Sequence, residues 1–284
     1  MYPRHKWTMG VGALVLLALA LSQAGVAQLV LYDNFSSKNI DPSKWSGFQF
    51  YAPDQREAVR ELVSLPGVTD GEHSDRGRRL HISERDYATT TDDYGSSGDT
   101  YGLAFPDPAA ITETSFTVTV NYAEAVACTS NPSQTVTDAE FRGTFFNTDT
   151  DTSPTSQIGD VVAVIAVTRS PNDAGSALNV VGFYTRCGDQ YCGSQTTLAV
   201  RSLGHVQPGV AATVRIKWDQ PNHQFIFQLN HQPPVALPYT VSDTTPPFFL
   251  YKFIGLARVV AHCTTTPPSR TAIDALFDNV HVNP

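Results

Sequence analysis

The sequence predicts an all-β fold, a two-sheet antiparallel β-sandwich. Three observations predict it. Segments rich in Val, Ile, Thr, Phe and Tyr alternate apolar with polar residues. Short clusters of turn residues separate them. Sustained helical periodicity is lacking along most of the chain.

The clearest strands are Ser115 to Val120, Gly159 to Thr168, Asn179 to Thr185, Thr213 to Trp218 and Gln224 to Leu229. Val214, Ile216 and Trp218 share one face, and Arg215 and Lys217 share the other. Trp218-Asp219-Gln220-Pro221-Asn222-His223-Gln224 reads as the turn of a hairpin, returning through Phe225, Phe227 and Leu229. This rhythm suits half-buried strands packed in two layers. Trp218 belongs with the core by this pattern, whereas Trp45, after a Pro-Ser turn, reads equally as core or as a stacking ring. Asp54 to Val63 is the exception: Asp54 and Glu57 have capping-box spacing, and Ala58, Val59, Leu62 and Val63 fall near helical spacing. Thr89 to Thr100 and Asn147 to Gln157 read as polar loops, and no linker divides the chain.

Residues 1–27 read as an export signal. Arg4, His5 and Lys6 precede an apolar run from Gly10 to Leu21, and Gly25-Val26-Ala27 supplies small residues for cleavage. The run is too short for a stable bilayer anchor, no second one follows, and no Cys stands at the cleavage point. An uncleaved N-terminal anchor is the rival reading. Residues 28–284 then form one domain, secreted to an extracellular or periplasmic space with no membrane span. Losing Arg4 and Lys6 leaves 17 basic against 27 acidic residues, a net charge of −10. Such a chain, with no basic run, excludes nucleic acid and anionic membrane surfaces as partners.

Four cysteines remain: Cys128, Cys187, Cys192 and Cys263. An even count in an exported chain favours two disulfides, and three pairings exist. Cys187–Cys192 would close the loop Cys-Gly-Asp-Gln-Tyr-Cys. That leaves Cys128 with Cys263, each ending an apolar stretch before a Thr/Pro turn, as on neighbouring strands. A four-Cys zinc site is the alternative.

The mature start, Leu29-Val30-Leu31-Tyr32-Asp33-Asn34-Phe35 with Ile40-Asp41-Pro42-Ser43-Lys44-Trp45, resembles the opening of concanavalin A-like (laminin G-like, lectin/glucanase) jelly rolls. The end, Ala275 to Val282, resembles their closing strand, and Arg215 to Asp219 with Phe225-Ile226-Phe227 resembles their late hairpin. The resemblance implies that first and last strands pair. It also implies that Glu57 to Val63 is a strand, because tertiary pairing overrides local propensity.

Glucanases of this superfamily carry Glu-x-Asp-x-x-Glu on one strand, three carboxylates on an open face. The nearest match here, Glu84-Arg85-Asp86-Tyr87-Ala88-Thr89, ends in Thr89. Leu80, Ile82, Glu84 and Asp86 alternate together, so these carboxylates share the apolar face, opposite to where catalysis needs them. A strand running out into solvent is the preferred reading of this stretch, and no catalytic residue is assigned. Phosphate loops, nucleophile elbows and His-x-x-x-His spacing are also absent.

Other residues alternate away from apolar neighbours: Arg79, His81 and Arg85; Glu140 and Arg142; and Tyr184 with Arg186 beside the Cys187 loop. Tyr and Arg on an open sheet stack on sugar rings and pair with uronate carboxylates. Arg79, Glu140, Arg142, Tyr184 and Arg186 are therefore the expected ligand-binding set. The resemblance also implies a structural calcium ion between the terminal strands, for which Asp33 and Asp278 would be the ligands. Asp149, Asp151 and Asp160 form a second acidic cluster without EF-hand spacing.

The leading reading is a secreted, non-catalytic sandwich that binds glycan or another extracellular polymer. The alternatives are a glycoside hydrolase or polysaccharide lyase, and an envelope or matrix structural protein.

Overall fold

Apolar side chains at every second position demand a partner surface, and here two sheets supply it to each other. The computed structural model describes residues 28–50, 55–64, 77–89, 91–132, 135–148 and 155–284. The export signal expected over 1–27, Asp54, Asp149 and Asp151 lie outside them.

In chain order the strands are β1 (Val30–Asp33), β2 (Ser46–Phe50), β3 (Gln55–Ser64), β4 (Arg78–Tyr87), β5 (Ser96–Ala104), β6 (Glu113–Val126), β7 (Val136–Asn147) and β8 (Asp160–Arg169). They continue as β9 (Leu178–Cys187), β10 (Gln195–Val206), β11 (Ala212–Asp219), β12 (Gln224–Leu229), β13 (Val235–Pro238), β14 (Lys252–Ala261) and β15 (Arg270–Val282). One sheet has eight strands in the order β13-β12-β11-β6-β15-β4-β3, with β1 also on β15. The other has seven, β10-β9-β8-β7-β14-β5-β2. The pairings are antiparallel throughout these sheets. The first and last strands pair, Val30 opposite Val282, as expected, and the two antiparallel sheets make a jelly-roll sandwich.

The inner faces interdigitate. Phe116, Val118, Val214, Ile216, Phe225 and Phe277 of the eight-stranded sheet meet Phe141, Val161, Ile165, Val180 and Ile254 of the seven-stranded one. The hairpin forms as expected, β11 turning into β12 through residues 220–222 and His223 at φ 48°. Residues 55–64 form a strand paired along β4, so the helical spacing there is overridden. Trp45 is buried, and its indole nitrogen donates to Asp33 Oδ2 at 2.7 Å. Trp218 packs on Phe145 and Phe146. One loop expectation fails in part. The polar stretch 89–100 becomes strand from Ser96, because β14 offers a full antiparallel register to β5.

Both disulfides form, Cys128–Cys263 and Cys187–Cys192, which removes the zinc alternative. Cys128 follows β6 and Cys263 follows β14, strands of different sheets rather than neighbours in one. The bond therefore fastens one sheet to the other.

The same region holds charge inside the sandwich. Arg258 of β14 is fully buried, with Nη2 at 2.6 Å from Glu84, 2.9 Å from Asp86 and 3.0 Å from Asp99. Glu84 and Asp86 thus point inward with Leu80 and Ile82. Thr89 lies beyond the end of β4. Among the described residues no helix is long and apolar enough to cross a membrane.

Candidate functional site

β7 is the middle strand of the seven-stranded sheet. Its Ala139 and Phe141 belong to the core. Alternation therefore turns Asp138, Glu140 and Arg142 to the outer face in one row. The Arg142 guanidinium grips Glu140, Nε to Oε1 at 2.7 Å and Nη2 to Oε2 at 3.2 Å. Burial alone would lower Arg142, but the Glu140 carboxylate outweighs it and holds the guanidinium firmly protonated. Burial pushes the Asp138 carboxyl up to about 7, with Glu140 adding to the rise and the Thr168 hydroxyl opposing it.

The register sets what stands beside this row. Glu140 lies between Ala166 of β8 and Gly255 of β14; Gly255 faces Gly102 of β5, which faces Phe48 of β2. Arg142 lies between Val164 and Phe253. Phe48 stacks on Phe253 with centroids 4.4 Å apart and on Tyr251 at 5.4 Å. Tyr251 in turn meets Phe249 at 5.5 Å. The result is a ladder of four rings ending at the exposed Phe249, with the exposed Phe50 beside Phe48 on β2. Burial pushes the Tyr251 phenol up to about 12 despite Arg142, so it stays neutral.

Asp160 fixes the end of the ladder. It accepts Phe248 N–H at 3.0 Å, Phe249 N–H at 3.3 Å and the Asn147 side-chain amide at 2.7 Å. Burial raises its carboxyl pKa. Its role is to hold a loop of rings, and Asn147 and two backbone N–H groups fill the places a cation's oxygen ligands would need.

The five residues expected to bind ligand do not converge. Glu140 and Arg142 share the outer face just described. Arg79 belongs to β4 in the other sheet and pairs with Asp278, Nε to Oδ2 at 3.3 Å. His81 and Arg85 are on β4 as well; His81 bridges Asp274 at 2.8 Å and Glu61 at 3.3 Å. Burial opposes its protonation, yet those two carboxylates raise its pKa overall. Tyr184 corrects the open-face expectation. It is buried between the sheets, packed on Phe225, with its hydroxyl donating to Pro238 O at 2.9 Å. Arg186 shares its inward parity, opposite the core residue Val161. β9 is apolar on both faces, Val181 and Phe183 outside and Val180 inside, so alternation gave no sign of direction.

The calcium expectation meets a poor fit. Asp33 accepts Phe35 N–H at 2.8 Å and the Trp45 indole at 2.7 Å. Asp278 accepts Asn279 N–H at 2.8 Å and pairs with Arg79. N–H donors occupy both oxygens of each carboxylate, where a hard cation needs converging oxygens. Among the described residues no three His, Cys, Asp or Glu side chains cluster as metal ligands.

Sequence reasoning passed over the rings. The run Phe249, Tyr251, Phe253 has the period of a strand face, and that signal was available. No family model matches the chain, and no curated protein matches it. Similar solved structures include the laminarinase from Flavobacterium sp. UMI-01, at 13% identity over 90% of this chain and 100% of that one, TM-score 0.41. LamAcat from Zobellia galactanivorans aligns at 10% identity over 90% and 98%, TM-score 0.39. The lectin from Bauhinia forficata in complex with GalNAc aligns at 10% over 84% and 100%, TM-score 0.28. At such identities any likeness is one of fold.

Proposed function

We propose that this chain is a secreted glycan-binding protein whose ligand lies on the outer face of the seven-stranded sheet. The observation that carries the reading is the ring ladder Phe48–Phe253–Tyr251–Phe249 set against Arg142. Sugar rings stack on aromatic faces, and a guanidinium held in place by Glu140 presents its remaining N–H groups to hydroxyls or a uronate. Two disulfides suit an oxidising compartment.

A polysaccharide panel titrated against residues 28–284 tests it. Phe249→Ala, at an exposed ring, should weaken the best ligand about tenfold, and Arg142→Ala should weaken acidic polymers most. Folded protein that retains no polymer on the panel sinks the proposal. Self-association without sugar dependence would instead favour a matrix role.

A hydrolytic reading draws support from Asp138, whose carboxyl is held near 7 beside the Glu140 carboxylate. Against it, Glu140 is 0% exposed and both its oxygens are held by Arg142, so it is not free to act on a sugar as nucleophile or base. Release of reducing ends that disappears in Asp138→Asn would reverse the preference.

A further inference from the structure

Where β5 begins and β14 ends, three side chains form a hydrogen-bonded chain. Ser97 Oγ lies 2.8 Å from His262 Nε2, and His262 Nδ1 lies 2.9 Å from Asp92 Oδ2. Asp92 sits in the turn before β5. Its Oδ1 accepts Tyr94 N–H at 3.0 Å and Gly95 N–H at 2.8 Å. These backbone bonds, with His262 adding to them, hold the Asp92 carboxyl below the usual carboxylate range. An ionised Asp92 draws the imidazole proton to Nδ1. Nε2 is then the acceptor, and the Ser97 hydroxyl donates to it. Hydroxyl, base and orienting carboxylate thus stand in the order that activates a nucleophile.

The ring is held from several sides. His262 N–H donates to Gly95 O at 2.9 Å. A Cβ on Gly95 would stand 2.8 Å from His262 Nδ1, so a glycine there leaves the ring its place. The next residue, Cys263, is fixed by its disulfide to Cys128. The Asn131 amide donates to Gly95 O at 3.0 Å. The group lies at the rim: Ser97 keeps 9% exposure, the His262 side chain 14% and that of Asp92 42%. Ser97 also has the inward parity of Asp99 and Leu103, away from the ring ladder on the outer face.

We propose that Ser97, His262 and Asp92 form a nucleophilic centre that hydrolyses short-chain carboxylic esters. Ser97 Oγ attacks the ester carbonyl carbon while its proton passes to His262 Nε2. The carbon–oxygen bond to the alcohol breaks, and the alkoxide takes that proton and leaves. Water then attacks the acyl-serine, giving its proton to Nε2, and the carboxylic acid departs as the proton returns to Ser97 Oγ. An ester suits the arrangement because a single proton from Nε2 completes its leaving group. A short acyl chain suits the 9% exposure that Ser97 keeps.

Two probes test this on the full mature chain, p-nitrophenyl acetate and diisopropyl fluorophosphate. The phosphorylating agent should add one diisopropylphosphoryl group, located on the Ser97 peptide by mass spectrometry. Ser97→Ala, which keeps His262 and its background reactivity, should hydrolyse the acetate about a hundredfold more slowly than wild type. Asp92→Asn, in an exposed turn, should cut the labelling rate about tenfold or more while circular dichroism stays unchanged. Folded wild type left unlabelled at Ser97, or equal acetate hydrolysis by wild type and Ser97→Ala, overturns the proposal. So does unchanged labelling of Ser97 in Asp92→Asn.

Discussion

Lys252 turns inward between residues whose rings face out. Its ammonium donates to Pro108 O at 2.7 Å and lies 4.5 Å from the centre of the Phe145 ring. Burial lowers its pKa from 10.5 to about 7, with Asp107 opposing the fall. Below pH 7 both folded and unfolded chains hold the proton, and the full penalty of burying charge is present. Between pH 7 and 10.5 only the unfolded chain holds it, so stability rises with pH across that window. Lys252→Met should therefore raise stability by about 2–4 kcal/mol near pH 6, with the gain fading toward pH 10. Denaturant melts at the two pH values check this, and a pH-independent difference contradicts it. Arg258 predicts the opposite sign. Arg258→Met leaves Glu84, Asp86 and Asp99 buried without their shared guanidinium and should cost about 3–5 kcal/mol in the same melts. The two buried cations differ in how far the sequence announced them. Alternation from Leu80 to Asp86 puts the two carboxylates on the apolar face, and their burial corrects the expectation that this strand runs out into solvent. Their partner was hidden, because Arg258 stands alone in an apolar run far along the chain.

Among the elements, strands with one polar face were legible and strands with two apolar faces were not. β11 and β12 alternate cleanly, and the residues expected inside are inside. β9 has apolar side chains on both sides, so Tyr184 could be assigned to a strand but not to a face. The approach to β14 is similar: Phe249, Tyr251 and Phe253 share a period, yet only the register of β14 beside β7 sets Phe253 opposite Arg142. The disulfides were legible as pairs from loop length and context, while the sheets they join were not. Their stabilities should differ with loop length. Replacing Cys128 and Cys263 by Ser should cost about 5 kcal/mol for a separation of 135 residues. Replacing Cys187 and Cys192 should cost about 2 kcal/mol for a separation of 5. Equal losses in chemical denaturation would show that chain entropy is not the source.

At the scale of the whole molecule, Asp33 and Asp278 do not present the converging oxygens that a closing ion would need. The terminal strands are held by ladder bonds and by N–H donors on Asp33 and Asp278. The melting temperature should be the same in excess chelator as in excess calcium, and a shift of several degrees would point to oxygen ligands elsewhere. The two-layer fold was readable because periodicity and turn chemistry repeat along the chain. The face proposed to bind ligand was half readable: Glu140 and Arg142 are on it, Arg79 is on the other sheet, and Tyr184 is in the core. Sheet assignment is a long-range property, set by which distant strand pairs with which.

β15 lies between β6 and β4 in the eight-stranded sheet, and β1 also pairs with it. Its pairing with three strands has a consequence for synthesis. Until residues 270–282 emerge, β1 has no ladder, β4 and β6 have no common neighbour, and that half of the sandwich has an open gap at its centre. The chain therefore completes this sheet late, after its last strand arrives. Contacts of such long sequence separation make that final step slow. A truncation ending before Arg270 should consequently aggregate rather than fold to a smaller sandwich, since unpaired strand edges remain exposed.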